Sequence, residues 1–77
     1  MVSSVLIGNI IQQHRKSKGL TQEQLSGLAT LDRTHYSKIE RGQRSPTIET
    51  LFKIAYALDI PPHKLIQAIE NEVKDIF

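Results

Sequence analysis

The sequence predicts an all-α domain built from five helices. Apolar residues recur every three or four positions along most of the chain, and no alternation of apolar and polar residues is long enough to form a strand. Helix caps, glycines and prolines separate these repeats at short intervals. With 77 residues, 39% of them apolar, and a net charge of only +2, the chain is expected to fold as one globular domain over residues 1–77.

The first helix is predicted from Ser4 to Lys18. Ile7, Ile10 and Ile11 share one face of it. Basic residues occupy its last turn, where the helix dipole favours them, and Gly19 follows as a C-terminal cap.

Two short helices follow, joined by a turn of about three residues. Thr21 is the predicted N-cap of the second helix, with Gln24 completing a capping box. Asp32 is the predicted N-cap of the third helix, which Gly42 can end. The apolar faces of the two helices consist of Leu25, Leu28, Ala29, Tyr36 and Ile39. Two short amphipathic helices joined in this way have the geometry of a helix-turn-helix.

Prolines mark the limits of the last two helices. Pro46 and Thr47, a breaker followed by an N-cap, precede the fourth helix, which ends before Pro61 and Pro62. The predicted core face of the fourth helix comprises Ile48, Leu51, Phe52, Ala55 and Leu58, and that of the fifth comprises Leu65, Ile66, Ile69, Val73 and Ile76. The fifth helix is therefore expected to run nearly to the end of the chain.

The charges of the chain are divided unevenly. Residues 1–45 hold seven Lys and Arg against three Asp and Glu, a net charge of +4, whereas residues 46–77 carry −2. A basic half of this kind suits a polyanionic ligand, although an ordinary solvated surface with uneven charges is the alternative.

The composition argues against several other classes of protein. The absence of cysteine removes disulfides, thiolate metal sites and cysteine nucleophiles, so a reducing cytoplasm is the expected location. No signal segment is recognisable, and no apolar run approaches the roughly 18 residues that cross a membrane. His14, His35 and His63 are far apart and form no metal-ligand or nucleophile motif, so neither enzyme activity nor a metal or cofactor is expected.

The third helix carries the candidate reading surface. A helix that enters the major groove needs polar side chains, free of core contacts, on its outward face. Arg33, Thr34, Ser37 and Lys38 meet this condition, and His35 is intermediate. The arginine could donate two hydrogen bonds to guanine, and the threonine could contact a base edge or a thymine methyl. A merely solvated helix face is the alternative.

The motif has a close counterpart in a known family. The segments Gly19–Leu25, Leu31–Gly42 and Ser45–Thr47 resemble the Xre (Cro/CI) family of helix-turn-helix repressors, and the resemblance extends from about residue 7 to residue 65. Within that family the third helix resembles the controller proteins of restriction–modification systems. The resemblance implies a five-helix lambda-repressor-like DNA-binding domain.

Residues outside the third helix have roles in this interpretation. Gln22, near the start of the second helix, could clasp a DNA phosphate, and the matching family glutamine contacts the backbone. Three residues of the loop after the third helix are further predicted phosphate contacts: Gln43, Arg44 and Ser45. For the arginine, a loop charge in water is the alternative. The resemblance also implies a partly buried, structural ion pair between Arg15 and Glu40.

The chain departs from the family pattern at several positions. Thr30 occupies the turn position where glycine or asparagine is usual, and a β-branched residue at positive φ costs about 1–2 kcal/mol, which favours another turn conformation. Tyr36 replaces the usual isoleucine or valine, and His35 stands where controllers often carry tyrosine. Lys38 is bulkier than its controller counterpart, so different bases should be read.

A homodimer is predicted through the fourth and fifth helices, because so apolar a fourth helix needs cover on more than one side. The predicted interface residues are Ile54, Ala57, Ile69, Val73 and Ile76. A monomer in which the fifth helix covers the fourth is the alternative. Two recognition helices about 34 Å apart would read a palindromic site.

The leading functional hypothesis is a sequence-specific transcriptional regulator that binds a palindromic operator in double-stranded DNA as a homodimer. It would act as a restriction–modification controller or a phage-type repressor, and no small-molecule effector or membrane partner is expected. The alternative is an antitoxin or another module whose main partner is a protein.

Overall fold

A computed structural model of the chain describes residues 2–73, which form five α-helices and no strand. In chain order the helices are α1 Ser4–Ser17, α2 Gln22–Leu28, α3 Arg33–Glu40, α4 Ile48–Ala57 and α5 Pro62–Val73. The predicted all-α architecture is therefore confirmed. Ile76 and the predicted last turn of the fifth helix lie outside the described residues.

The predicted N-caps are confirmed. The side chains of Thr21, Asp32 and Thr47 each accept a hydrogen bond from the backbone N–H three residues further on. Gln24 completes the capping box of α2, because its side chain accepts from the backbone N–H of Thr21 at 2.9 Å.

Helices α1 to α4 all end in the same hydrogen-bonded turn. The residue at the turn has positive φ, and the next residue donates its N–H to a carbonyl five positions back. Gly19 and Gly42 occupy this position after α1 and α3, whereas Thr30 and Asp59 occupy it after α2 and α4.

Thr30 therefore adopts the strained conformation, and the expectation of a different turn was wrong. Its φ is 54°, and the N–H of Leu31 donates to the carbonyl of Ser26 at 2.9 Å. The hydroxyl of Thr30 donates to the carbonyl of Ala29 at 2.6 Å. The turn bonds of α2 fix the left-handed conformation whatever side chain is present.

The core lies where the five helices pack against one another. Helix α1 packs against α3 and α5, α2 packs against α3 and α4, and α4 packs against α5. The largest fully buried side chains are Tyr36, Ile11, Leu25, Ile39, Ile54, Leu58 and Leu65. None of the described helices is long and apolar enough to cross a membrane.

The backbones of α1 and α3 approach each other closely at Gly8. A Cβ atom there would lie 2.4 Å from the carbonyl oxygen of Ile39 and 2.5 Å from that of Glu40. Gly42 makes a similar approach, because a Cβ atom there would lie 2.6 Å from a methyl carbon of Val5. The first half of α1 is thus packed directly on the C-terminal end of α3 and the turn that follows it.

The orientation of α4 differs from the sequence prediction. Ile48 and Phe52 were assigned to the core, yet they are 67% and 56% exposed. The buried residues of α4 are Leu51, Ile54, Ala55 and Ala57, with Leu58 following as its C-cap. Because α4 is apolar on most of its circumference, the apolar period did not distinguish its two sides.

Four of the residues predicted to form the dimer interface lie inside the domain. Ile54, Ala57, Ile69 and Val73 are all buried by the chain's own helices, with exposures of 9% or less. Helix α5 packs onto α1 and α4 and turns its own Ile69 and Val73 toward the inside of the domain. The fifth predicted interface residue, Ile76, lies outside the described part of the chain.

Candidate DNA-binding site

Helix α3 has one buried and one accessible face. Tyr36, Ile39 and Glu40 are buried beneath it. Of the five predicted base-reading residues, Arg33, Thr34 and His35 are exposed, while Ser37 and Lys38 are half-buried. The predicted reading residues therefore remain on the accessible side of α3, where a ligand can reach them.

The start of α3 is held in place by its cap. The side chain of Asp32 accepts a hydrogen bond from the backbone N–H of His35 at 3.0 Å. This bond fixes the first turn of the helix, which carries Arg33 and Thr34.

The loop after α3 continues the accessible surface. Gln43, Arg44 and Ser45 are all exposed. The hydroxyl groups of Ser45 and Ser4 are hydrogen-bonded to each other, which ties the loop to the first turn of α1. The three predicted phosphate contacts thus follow α3 directly.

Arg41 was missed by the sequence analysis. It is the exposed C-cap of α3, and its Nε donates to the carbonyl oxygen of Ser37 at 3.4 Å. It lies seven residues after Thr34 and three after Lys38, a spacing that places all three on one side of a helix. That spacing was the available signal, and Arg41 extends the basic surface between the helix and the loop.

The ion pair expected between Arg15 and Glu40 is present and buried, with exposures of 8% and 4%. The Nε atom of Arg15 donates to Oε2 of Glu40 at 2.6 Å, and Nη2 donates to Oε1 at 3.1 Å. A third bond, from Nη1 to the carbonyl of Leu20 at 2.7 Å, ties the same guanidinium to the segment before α2. The two-bond geometry is the strongest that an arginine and a carboxylate can form.

Two further donors to Glu40 were not predicted. The phenol of Tyr36 donates to Oε2, and the side-chain amide of Gln22 donates to Oε1 at 3.0 Å. The aromatic residue that departs from the family pattern therefore has a hydrogen-bonding role beside its packing role. No simple sequence signal identifies these bonds, because they depend on how α2 and α3 pack.

The buried network changes the acid–base properties of its members. Burial by itself disfavours the carboxylate of Glu40, yet the hydrogen bonds from Arg15, Tyr36 and Gln22 together lower its pKa below the usual value. Burial, followed by the hydrogen bond to Glu40, raises the pKa of Tyr36 far above its usual value. The network is thus an ionised carboxylate and guanidinium with a neutral phenol over the physiological range.

Gln22 lies at the first position of α2 and is half-buried. Its amide is held by Glu40, so the side chain is anchored at one end. Its contact with DNA phosphate remains a prediction.

Among the described residues, no group of three or more His, Cys, Asp or Glu side chains is placed to hold a metal ion.

Two short helices joined by a tight turn, the second with a polar and basic accessible face, define a helix-turn-helix DNA-binding protein. A family model described as "Helix-turn-helix" matches residues 11–65, and the chain belongs to this family.

Relatives of the chain include a control protein and an HTH-type transcriptional regulator. It is 39% identical over 69 residues to control protein C.MunI of Mycoplasma sp, with 88% of this chain and 93% of the relative covered. It is 36% identical over 61 residues to an uncharacterized HTH-type transcriptional regulator, y4dJ, of Sinorhizobium fredii, with 79% of each covered.

The fold is shared with a solved controller structure. The restriction-modification controller protein C.AhdI from Aeromonas hydrophila is 42% identical and superposes with a TM-score of 0.77, covering 80% of this chain and 94% of that one. The chain is accordingly a DNA-binding transcriptional regulator of the helix-turn-helix class.

Proposed function

We propose that this regulator binds a palindromic operator as a homodimer and controls transcription in the manner of restriction–modification controller proteins. The observation that carries the proposal is the accessible basic face of α3 in a chain whose relatives include control proteins. With α3 in the major groove, its outward side chains would meet base edges and the loop after it would meet the backbone.

The base-reading roles follow from donor and acceptor chemistry. Arg33, at the start of α3, would donate two hydrogen bonds to a guanine, and Thr34 would contact a base edge or a thymine methyl. Ser37 and Lys38 would read positions further along the groove, and His35 would contact a base or the backbone beside them.

The phosphate contacts would flank the groove on both sides of α3. The amide of Gln22 lies at the start of α2, while Gln43, Arg44 and Ser45 lie in the exposed loop after α3. Such contacts carry no sequence information but fix the register of the protein on the duplex.

The second copy would cover the exposed apolar side of α4. Ile48, Phe52 and Tyr56 recur every four residues there and are 67%, 56% and 78% exposed. Ile66 of α5 is 41% exposed and lines a groove together with Phe52. A patch of several large apolar side chains on so small a domain favours an isologous contact between two copies, which would set two recognition helices about 34 Å apart.

The central experiment measures binding of R33A to operator fragments. Loss of the bidentate contact should weaken binding by about 1–3 kcal/mol and relax the preference at one base pair. K64A is the matched control, because Lys64 is exposed on α5 and belongs to no predicted DNA contact. Equal weakening on every sequence would reduce Arg33 to a phosphate contact, and unchanged binding would overturn the proposal.

A module whose main partner is a protein is the second candidate, and the exposed apolar stripe on α4 favours it. Ionic strength separates the two functions. Groove binding that neutralises several phosphates must weaken steeply as salt rises, whereas capture of an apolar partner should not. A salt-insensitive affinity for a protein, without affinity for DNA, would support this candidate.

A further inference from the structure

The carboxylate of Glu40 joins three helices through a complete set of hydrogen bonds. Its Oε1 accepts from Arg15 and Gln22, and its Oε2 accepts from Arg15 and Tyr36. A carboxylate has about four acceptor positions, and all of them are filled here. Each donor therefore has a fixed place around Glu40.

The same bonds determine how Gln22 is oriented. A carboxylate can only accept, so the amide must turn its NH₂ end toward Glu40 and its oxygen away. One N–H hydrogen of that NH₂ is used by Oε1 of Glu40 at 3.0 Å. The second hydrogen, fixed in direction by the planar amide, is left for another acceptor at the half-buried surface of Gln22.

We infer that Glu40 and Tyr36 are positioning residues for the DNA-backbone contact of Gln22. Both are buried, with exposures of 4% and 0%, so neither can reach DNA itself. Glu40 holds the amide so that its second N–H hydrogen points to a phosphate oxygen, and the phenol of Tyr36 holds the other oxygen of Glu40 in place. The inference rests on the proposed function, in which Gln22 contacts a phosphate.

This arrangement links the first residue of α2 to the buried side of the recognition helix. Tyr36 and Glu40 lie one turn apart on α3, directly behind the reading residues. A backbone contact through Gln22 thereby fixes α2 and α3 to the duplex through one network. The Gln22 side chain loses little conformational freedom on binding, because Glu40 already holds it in the free protein.

A double-mutant cycle on DNA affinity tests the inference. Q22A removes the amide and should weaken operator binding about tenfold, as expected for a hydrogen bond to a charged group. Y36F removes only the phenolic hydroxyl and should weaken binding about threefold in the otherwise unchanged chain. In the Q22A background Y36F should have no further effect, because the group that it positions is absent.

Affinities are compared at one salt concentration, and sedimentation and thermal unfolding confirm the assembly and folding of each variant. Q13A is the matched control for Q22A, because Gln13 is an exposed amide on α1 outside the predicted contacts. If Y36F weakens binding equally in both backgrounds, Tyr36 acts through general stability and the inference is overturned. If R33A weakens binding while Q22A does not, the inference fails and the proposed function stands. If neither R33A nor Q22A weakens binding, both the inference and the proposed function are overturned.

Nuclear magnetic resonance of the unsubstituted chain gives an independent readout. The side-chain amide proton of Gln22 that is bonded to Glu40 should exchange slowly with water in the free protein, and the one that faces away from Glu40 should shift on addition of operator DNA. Gln22 amide protons that both exchange rapidly with water and do not respond to DNA would overturn the inference even if Y36F did not fold.

Discussion

Helices α3 and α4 are similar in length, yet both their exposed and their buried faces differ. The accessible side of α3 carries Arg33 and Thr34, whereas that of α4 carries Phe52 and Tyr56. Beneath the surface α3 buries the charged Glu40, whereas the buried residues of α4 are all aliphatic. Helix α3, which we propose meets DNA, is thus anchored by directional hydrogen bonds, whereas α4, which we propose meets a second copy, is anchored by apolar packing.

The largest effect is expected when the buried ion pair that anchors α3 is broken. E40A leaves the buried guanidinium of Arg15 without its partner and should lower the free energy of unfolding by about 3–5 kcal/mol. Urea unfolding measures the change. E70A, at an exposed position of α5, should stay within about 0.5 kcal/mol of the parent. A similarly small loss for E40A would show that water replaces the carboxylate and that the anchor is dispensable.

The second prediction compares an exposed and a buried apolar residue of α5. I66E places a charge on the exposed patch and should give a folded monomer in sedimentation, because Ile66 is 41% exposed. I69E places the same charge in the core, where the exposure is 7%, and should cost about 3 kcal/mol or more of folding stability. A dimeric I66E would move the contact between copies to another surface.

The third prediction concerns the turns that precede α3 and follow α4. T30N replaces a β-branched residue at positive φ with one that tolerates this region, and should raise stability by about 1 kcal/mol in urea unfolding. D59N is the matched control, since Asp59 has a φ of 59° and already belongs to a tolerant residue type. Equal gains from both variants would mean that the β-branch of Thr30 carries no strain.

The smallest expected effect is the pH dependence contributed by Tyr36. Its raised pKa means that the phenol ionises in the unfolded chain first, so its contribution to stability is present below pH 10 and is lost as pH rises above it. The stability of the parent relative to Y36F should fall by about 0.8 kcal/mol between pH 9 and pH 10.5. A constant difference over this range would mean that the phenol ionises equally readily in both states.

Local signals predicted the helices, whereas packing decided the details of the site. The caps at Thr21, Asp32 and Thr47 were recognisable because a cap bonds within three residues of itself. The bond between Gln22 and Glu40 joins residues eighteen positions apart and depends on how two helices pack. Sequence spacing says nothing about such a bond.

The orientation of α4 shows the other limit of sequence analysis. Periodicity locates a buried face by contrast with polar residues on the opposite face. On α4 the exposed side is itself apolar at Ile48 and Phe52, so this contrast was missing. The predicted core face therefore included these two residues, although both are exposed. The exposed reading side of α3 was predictable because its polar residues contrast with Tyr36 and Ile39.

The contact at Gly8 limits how the domain could be redesigned for a new target. No side chain fits between α1 and the carbonyls of Ile39 and Glu40, so the C-terminal end of α3 is held directly against α1 at Gly8. Positions 34, 35, 37 and 38 lie on α3 away from this contact with α1. A library that varies those four positions while retaining glycine at position 8 would exchange the reading surface without altering the scaffold that presents it.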